Sequence, residues 1–214
     1  MVRAAFAWNL VVEAARLGAS ATLLAPHESD ASPLWPEVGP GPLGAEVLPT
    51  QARDLASLSR AALDVAVSRA ADAADGGLVA VRVPPSWLEE GLPGRALLRW
   101  VLLFSSPERH DLQECYRLAK SVLHALPEAN VGVTIHGVRQ VAEAERAFHY
   151  VASVSQRHLG RPLLSYGLLI DDLHVYRAIV ARRPIGLEHP QSRAARALRD
   201  VARMLLEDAG THLA

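Results

Sequence analysis

WVLLFSSPERHDLQECYRLAKSVL, residues 100–123, is the stretch from which the fold is read. It opens on an unbroken apolar run of strand length, the pattern of a strand covered on both faces. Ser105-Ser106-Pro107-Glu108 interrupts the run, and from about Leu112 to Leu126 apolar residues return at helical spacing. A buried strand feeding an amphipathic helix is one half of a βαβ unit, and the chain repeats the theme in both directions. Upstream, residues 5–17 have a helical period that stops at Gly18, followed by a strand at 21–24, a loop at 27–44 rich in proline and glycine, and a strand near 45–48. A long helix over 51–73 leads to GLVAVRVPP, read as a continuous apolar strand. Downstream come VGVTIHGV as a strand, a helix over 139–159, LLSYGLLI as a strand, and helices at about 174–182 and 191–208. Such alternation implies right-handed crossovers and a mostly parallel sheet with helices on both faces. No linker divides the chain, so residues 1–214 are expected to form a single domain.

Composition narrows the class. Half the residues are apolar, 21% are charged and the formal net charge is −1, which describes an ordinary globular protein and predicts no bulk attraction to nucleic acid. The only cysteine, Cys115, sits in a helical pattern and points to a buried thiol in a reducing, cytoplasmic setting. The first eighteen residues are apolar enough to imitate a leader. Asn9 and Glu13 interrupt them, and they are read as a folded helix. Nearly all the basic residues are arginine, Lys120 being the only lysine.

The stretch 100–123 resembles the strand, Pro-Glu turn and helix of the MinD/ParA group of deviant Walker ATPases, and above all the branch that regulates flagellar number. LGRPLLSYGLLIDDLHVYRAIVARRPIGLEHPQSRAARALRDVARMLL, residues 159–206, is similar to that branch's closing pattern. There a glycine follows a strand and an aspartate comes five residues later (Gly167, Asp172), followed by Val175, Ala178, Pro184, Pro190 and a final amphipathic helix. Asn9-Leu10 and Gly18 match the family's helix after the phosphate loop more loosely. The resemblance implies a three-layer α/β/α, P-loop NTPase-like fold with a mostly parallel sheet. It also implies that the phosphate loop and first strand are missing from the matched stretch.

Members of this family hold a triphosphate with backbone N–H groups of a glycine-rich loop, a lysine, and a hydroxyl that binds Mg²⁺. Carried over by position, the resemblance places Arg3 where the lysine belongs and Ala4 where the hydroxyl belongs. A guanidinium is not equivalent to a compact ammonium, and a methyl group coordinates nothing. Ala25 and His27 stand where the next strand should end in aspartates. Arg82 stands at the aspartate of the strand before the central loop, and His136 at the base-contacting asparagine. With Asp172, these residues outline a degenerate pocket with no catalytic residue, no cofactor and no bound metal. The implied protein is an inactive MinD/ParA-like pseudo-ATPase. It works by binding other proteins, in the placement of a polar machine such as a flagellum or pilus, as a homodimer or as a heterodimer with an active relative. The alternative is an active ATPase whose phosphate loop precedes residue 1.

Other signals are weaker. Nine histidines invite a metal reading, but no H-E-x-x-H or cysteine pair accompanies them, and His149 and His158 read as surface or hydrogen-bonding groups. Arg177, Arg182, Arg183, Arg193, Arg196, Arg199 and Arg203 form a basic stretch. Glu188, Asp200, Glu207 and Asp208 dilute it, so ion pairing is favoured over DNA binding. The short acidic end EDAGTHLA predicts no membrane anchor, leaving a cytoplasmic protein recruited to a pole only through partners.

Overall fold

A computed structural model describes residues 2–26, 36–73, 76–88 and 93–212. The chain folds as two compact units, one formed by residues 1–83 with 173–214 and the other by residues 84–172.

In the first unit, α1 (Val2–Arg16) leads through a three-residue turn to β1 (Ser20–Pro26). The sheet order is β2-β3-β1-β4, with β2 at Gly39–Pro40, β3 at Glu46–Thr50 and β4 at Gly77–Val81. β1 pairs in parallel with both β3 and β4, and only the two-residue β2 runs antiparallel. Flanked on both edges, the SATLLAP strand buries every residue after Ser20. Val11, Val12 and Ala14 of α1 pack with Ala21, Leu23, Ala25 and Val47 to form the core. Each fully buried Val or Leu in such a core contributes about 1.5–3 kcal/mol.

Asn9 and Glu13, legible in the sequence only as polar interruptions, are both buried, at 8% and 1% exposure. They lie one turn apart on α1 and hold the end of the chain. The Asn9 amide donates to the Ala5 carbonyl at 2.7 Å, and its oxygen accepts from Ile185 N–H at 2.7 Å. Ile185 opens α6 (Ile185–Glu188), a four-residue turn absent from the sequence reading. Glu13 receives Arg16 at 3.4 Å and Arg199 of α7 (Arg193–His212) at 3.3 Å, while Arg16 also donates to the Gly186 carbonyl at 2.8 Å. Buried carboxylates persist when paired in this way.

α2 (Leu55–Arg69) packs on β4 and β1 through Leu55, Leu58 and Ala62, and a short 3-10 turn (Ala70–Asp72) extends it. It begins four residues later than its period suggested because Asp54 caps it. The Asp54 carboxylate accepts from Ser57 N–H at 2.7 Å, and Ser57 Oγ accepts from Asp54 N–H at 3.3 Å. The Ser57 N–H first, and second its hydroxyl, which donates to Asp54 Oδ1 at 2.7 Å, hold the Asp54 carboxyl below its ordinary value. A depressed carboxyl stabilises the fold above its unfolded pKa and loses that contribution as pH falls through the folded pKa. Acid titration is therefore expected to lower the protection of the Ala56 and Ser57 amides, measured against their intrinsic exchange rates, below the ordinary aspartate range of about pH 4. Asp54→Asn, which keeps the acceptor oxygen, is expected to flatten that dependence.

In the second unit, β5 (Trp100–Ser105), β6 (Asn130–Val138) and β7 (Leu164–Ile170) form an all-parallel sheet in the order β5-β6-β7. α3 (Arg109–Ala125) packs on β5, α4 (Val141–Leu159) packs on β6 and β7, and the two helices touch. Residues 130–138 are central and almost wholly buried. The β6–β7 register slips twice. Thr134 faces both Tyr166 and Gly167, and Gly137 is an extra residue between His136 and Val138. Gly167 (φ 76°) and Gly137 (φ 71°) take the left-handed backbone that such bulges need. Gly167 thus lies inside the strand read from LLSYGLLI, where the family's closing pattern sets the glycine after a strand. GLVAVRVPP likewise ends its strand at Val81, and the 27–44 loop contains β2 and a 3-10 turn at Pro42–Gly44.

Candidate functional site at the strand ends

Ligands of parallel α/β sheets gather at the carboxyl ends of the strands, where the loops leave. In the first unit the residues between α1 and β1 are Leu17, Gly18 and Ala19 alone, so helix and strand run antiparallel. The first turn of α1 thus shares an end with Ala25 and Pro26. This places the backbone of Arg3 and Ala4 at the expected end, although their side chains, and all of His27, lie outside the described residues. On the neighbouring strand Leu24 faces Val81, and Arg82 N–H donates to the Leu24 carbonyl at 2.9 Å. One further step of that register sets Ala25 beside Arg82. Ala25 is 2% exposed and Arg82 is exposed. The β1 and β4 ends therefore supply a methyl group, a proline ring and a guanidinium. None of the three offers an oxygen to a divalent cation.

In the second unit the same end carries a polar set. Ile135 pairs with Ser105, so half-buried His136 lies one residue past the last β5 pair and between the two bulges. Asp172, also half-buried, follows β7 by two residues, and Asp171 N–H donates to the Val138 carbonyl at 2.8 Å. The register thus gathers His136 and Asp172 at one sheet end. Sequence reasoning passed over their neighbours at the start of α3. Ser106 Oγ donates to Asp111 Oδ2 at 2.6 Å and accepts from Glu108 N–H at 3.1 Å. The signal was in Ser105-Ser106-Pro107-Glu108, a serine turn closing an apolar strand.

Elsewhere in the second unit, a surface recess of about 300 Å³ between α3 and α4 is lined by Leu112, Tyr116, Arg117, Tyr150, Val151 and Val154, together with Gln113. None of the expected pocket residues reaches it. Of the seven clustered arginines, Arg182, Arg183, Arg199 and Arg203 pair with Glu37, Glu188, Glu13 and Asp200. Among the described residues, no helix is long and apolar enough to cross a membrane, and no three His, Cys, Asp or Glu side chains converge as a metal site.

Together these elements define a class: a three-layer α/β/α fold with a mostly parallel sheet, of the P-loop NTPase kind. The particular likeness is to MinD. The MinC:MinD cell division complex of Aquifex aeolicus superposes with a TM-score of 0.65 at 14% identity, over 95% of this chain and 90% of that one. The septum site-determining protein MinD of Pyrococcus horikoshii, complexed with Mg-ADP, gives 0.61 at 13% identity, over 98% and 92%. The Pyrococcus furiosus cell division ATPase MinD gives 0.60 at 14%, over 95% and 92%. At such identities the likeness is one of fold. No family model and no curated protein matches the sequence.

Proposed function

We propose that this chain is a MinD/ParA-like protein of the flagellar-number-regulator type. In this reading it does not hydrolyse ATP, and it acts as a regulator or scaffold by binding other proteins during placement of a polar machine such as a flagellum or pilus. The observation that carries the reading is that Ala25 and Arg82 each follow the last β1–β4 pair, Leu24 and Val81, and so stand at adjacent strand ends where the resemblance calls for carboxylates. Without oxygen ligands there, a metal-bound triphosphate loses both its Lewis acid and its positioning, which together supply many kcal/mol of barrier lowering in an active enzyme. Protein partnership is supported by the fold's occurrence in a MinC:MinD complex. The strand-end residues are then remnants of a nucleotide pocket rather than a working one.

Calorimetric titration with Mg-ATP and Mg-ADP tests the nucleotide side. No saturable heat is expected, which corresponds to a Kd weaker than about 1 mM; saturable binding tighter than that would overturn the reading. Affinity capture from the native host tests the partner side. Components of a polar machine are expected, and recovery of metabolic enzymes alone would sink that part.

A further inference from the structure

The recess between α3 and α4 has a floor of one chemistry and a rim of another. Buried Leu112 and Val151, with half-buried Val154, make it aliphatic. Tyr116 lines it from α3 and Tyr150, 53% exposed, from α4, while Gln113 and Arg117 complete the lining and no carboxylate joins them. The amide, both phenols and the guanidinium can all donate hydrogen bonds. Among the described residues, none of these four side chains has a protein partner.

Charge around the recess is one-sided. Beside Arg117, the cations Arg109, Lys120, Arg146 and Arg157 each lie three or four positions along a helix from a lining residue, the spacing at which helical side chains are neighbours. All five are exposed, and among the described residues none enters an ion pair. The carboxylates at that spacing are Glu108 and half-buried Glu114. Positive charge thus prevails here on a chain whose formal net charge is −1.

The combination selects the occupant. Tyrosine and arginine around a desolvated apolar seat are the composition of an interface hot spot. A volume of about 300 Å³ is at the bottom of the range for small-molecule pockets, and at the surface it takes one anchoring side chain rather than a whole cofactor. Beside that anchor, donors and cations without partners call for carboxylates. Single-stranded nucleic acid also uses cations and aromatic rings, but it stacks bases along a groove, and here the rings flank an aliphatic floor that stacks nothing.

We propose that the α3–α4 recess docks an acidic peptide segment of a partner protein, which seats one large apolar side chain between Tyr116 and Tyr150 and sets its carboxylates on Arg117 and the cations beside it. Docking here rests on the protein-binding part of the reading above and on nothing in the nucleotide pocket. Affinity capture can recover a polar machine through another surface, so the two fail separately.

The test is selection of a random short-peptide library on the full chain, counter-selected on Arg117→Glu, followed by fluorescence anisotropy of the most enriched peptide. Enriched peptides are expected to share one large apolar residue flanked by Asp or Glu, and to bind the wild type with a Kd of about 100 μM or tighter. Arg117→Glu and Tyr150→Ala change exposed side chains, and circular dichroism checks their folding. Each is expected to weaken binding by about tenfold or more. Lysine in place of the peptide's acidic residues is expected to reverse the preference, favouring Arg117→Glu over the wild type. No enrichment over the counter-selected variant, enriched peptides without acidic residues, or binding indifferent to Tyr150→Ala would overturn the proposal. So would an oligothymidine that binds more tightly than the best peptide, which would assign the surface to nucleic acid.

Discussion

Replacing Gly186 by alanine is expected to destabilise the protein by about 3 kcal/mol or more, which is large for a single methyl group. A Cβ at this position falls 1.5 Å from Glu13 Oε1 and 2.7 Å from its carboxyl carbon, with Arg16 at 3.3 Å behind. The far end of a glutamate usually swings away cheaply. Here it is 1% exposed, bridged by Arg16 and Arg199, and the Gly186 carbonyl itself holds Arg16. Moving the carboxylate leaves a buried charge without its partners, and moving α6 breaks the bond from Ile185 N–H to Asn9. Either route loses interactions of the kind that cost several kcal/mol when one partner is removed. Urea denaturation of Gly186→Ala, Glu13→Ala and the double variant checks the argument. The double variant is expected to be less destabilised than the sum of the singles by at least about 1 kcal/mol, because removing the carboxylate removes the clash. Strict additivity would show that Gly186 matters for some other reason.

The same clamp marks where sequence reading stops. β5, β6 and the helices after them were legible because a covered strand writes itself as a continuous apolar run, and a packed helix as a period of 3.6. α6 was not legible. Four residues carry no period, and this turn exists because Asn9, far away in sequence, caps it. Glu13 reads in isolation as an exposed charge, since its two arginines are recognised only once α1 and α7 lie side by side. Bulges hide for a related reason. Gly137 and Gly167 are ordinary strand glycines until the register shows which residues they face. The strand-end placement of Ala25 and Arg82 in the first unit, and of His136 in the second, was carried by the resemblance rather than by any pattern of their own. The Ala25–Arg82 adjacency depends on β1 and β4 being neighbours, and parallel neighbours are not dictated by chain order.

Gly132→Ala is the corresponding experiment in the second unit and is expected to cost about 2–4 kcal/mol. Gly132 lies on β6, the middle strand, beside Leu102 on one side and Leu164 on the other. A methyl group there meets the Tyr166 ring at 2.5 and 2.7 Å and Leu102 Cδ1 at 3.3 Å. Tyr166 has little room to yield. It is 1% exposed, stands edge-on to Trp100 with ring centroids 5.4 Å apart, and its carbonyl accepts from the Thr134 hydroxyl at 3.1 Å. The glycine is therefore the space into which the ring is laid, and the added methyl group must push apart a close-packed layer. Tyr166→Leu alone is expected to lose about 3 kcal/mol through the cavity it opens. Combined with Gly132→Ala, the methyl group occupies part of that cavity, and the double variant is expected to be more stable than the two single losses predict by about 1 kcal/mol or more. Urea denaturation read by near-ultraviolet circular dichroism, which follows the Trp100–Tyr166 pair, is the measurement. A Gly132→Ala protein as stable as the wild type would show that the ring and its strand have slack that such close packing denies them.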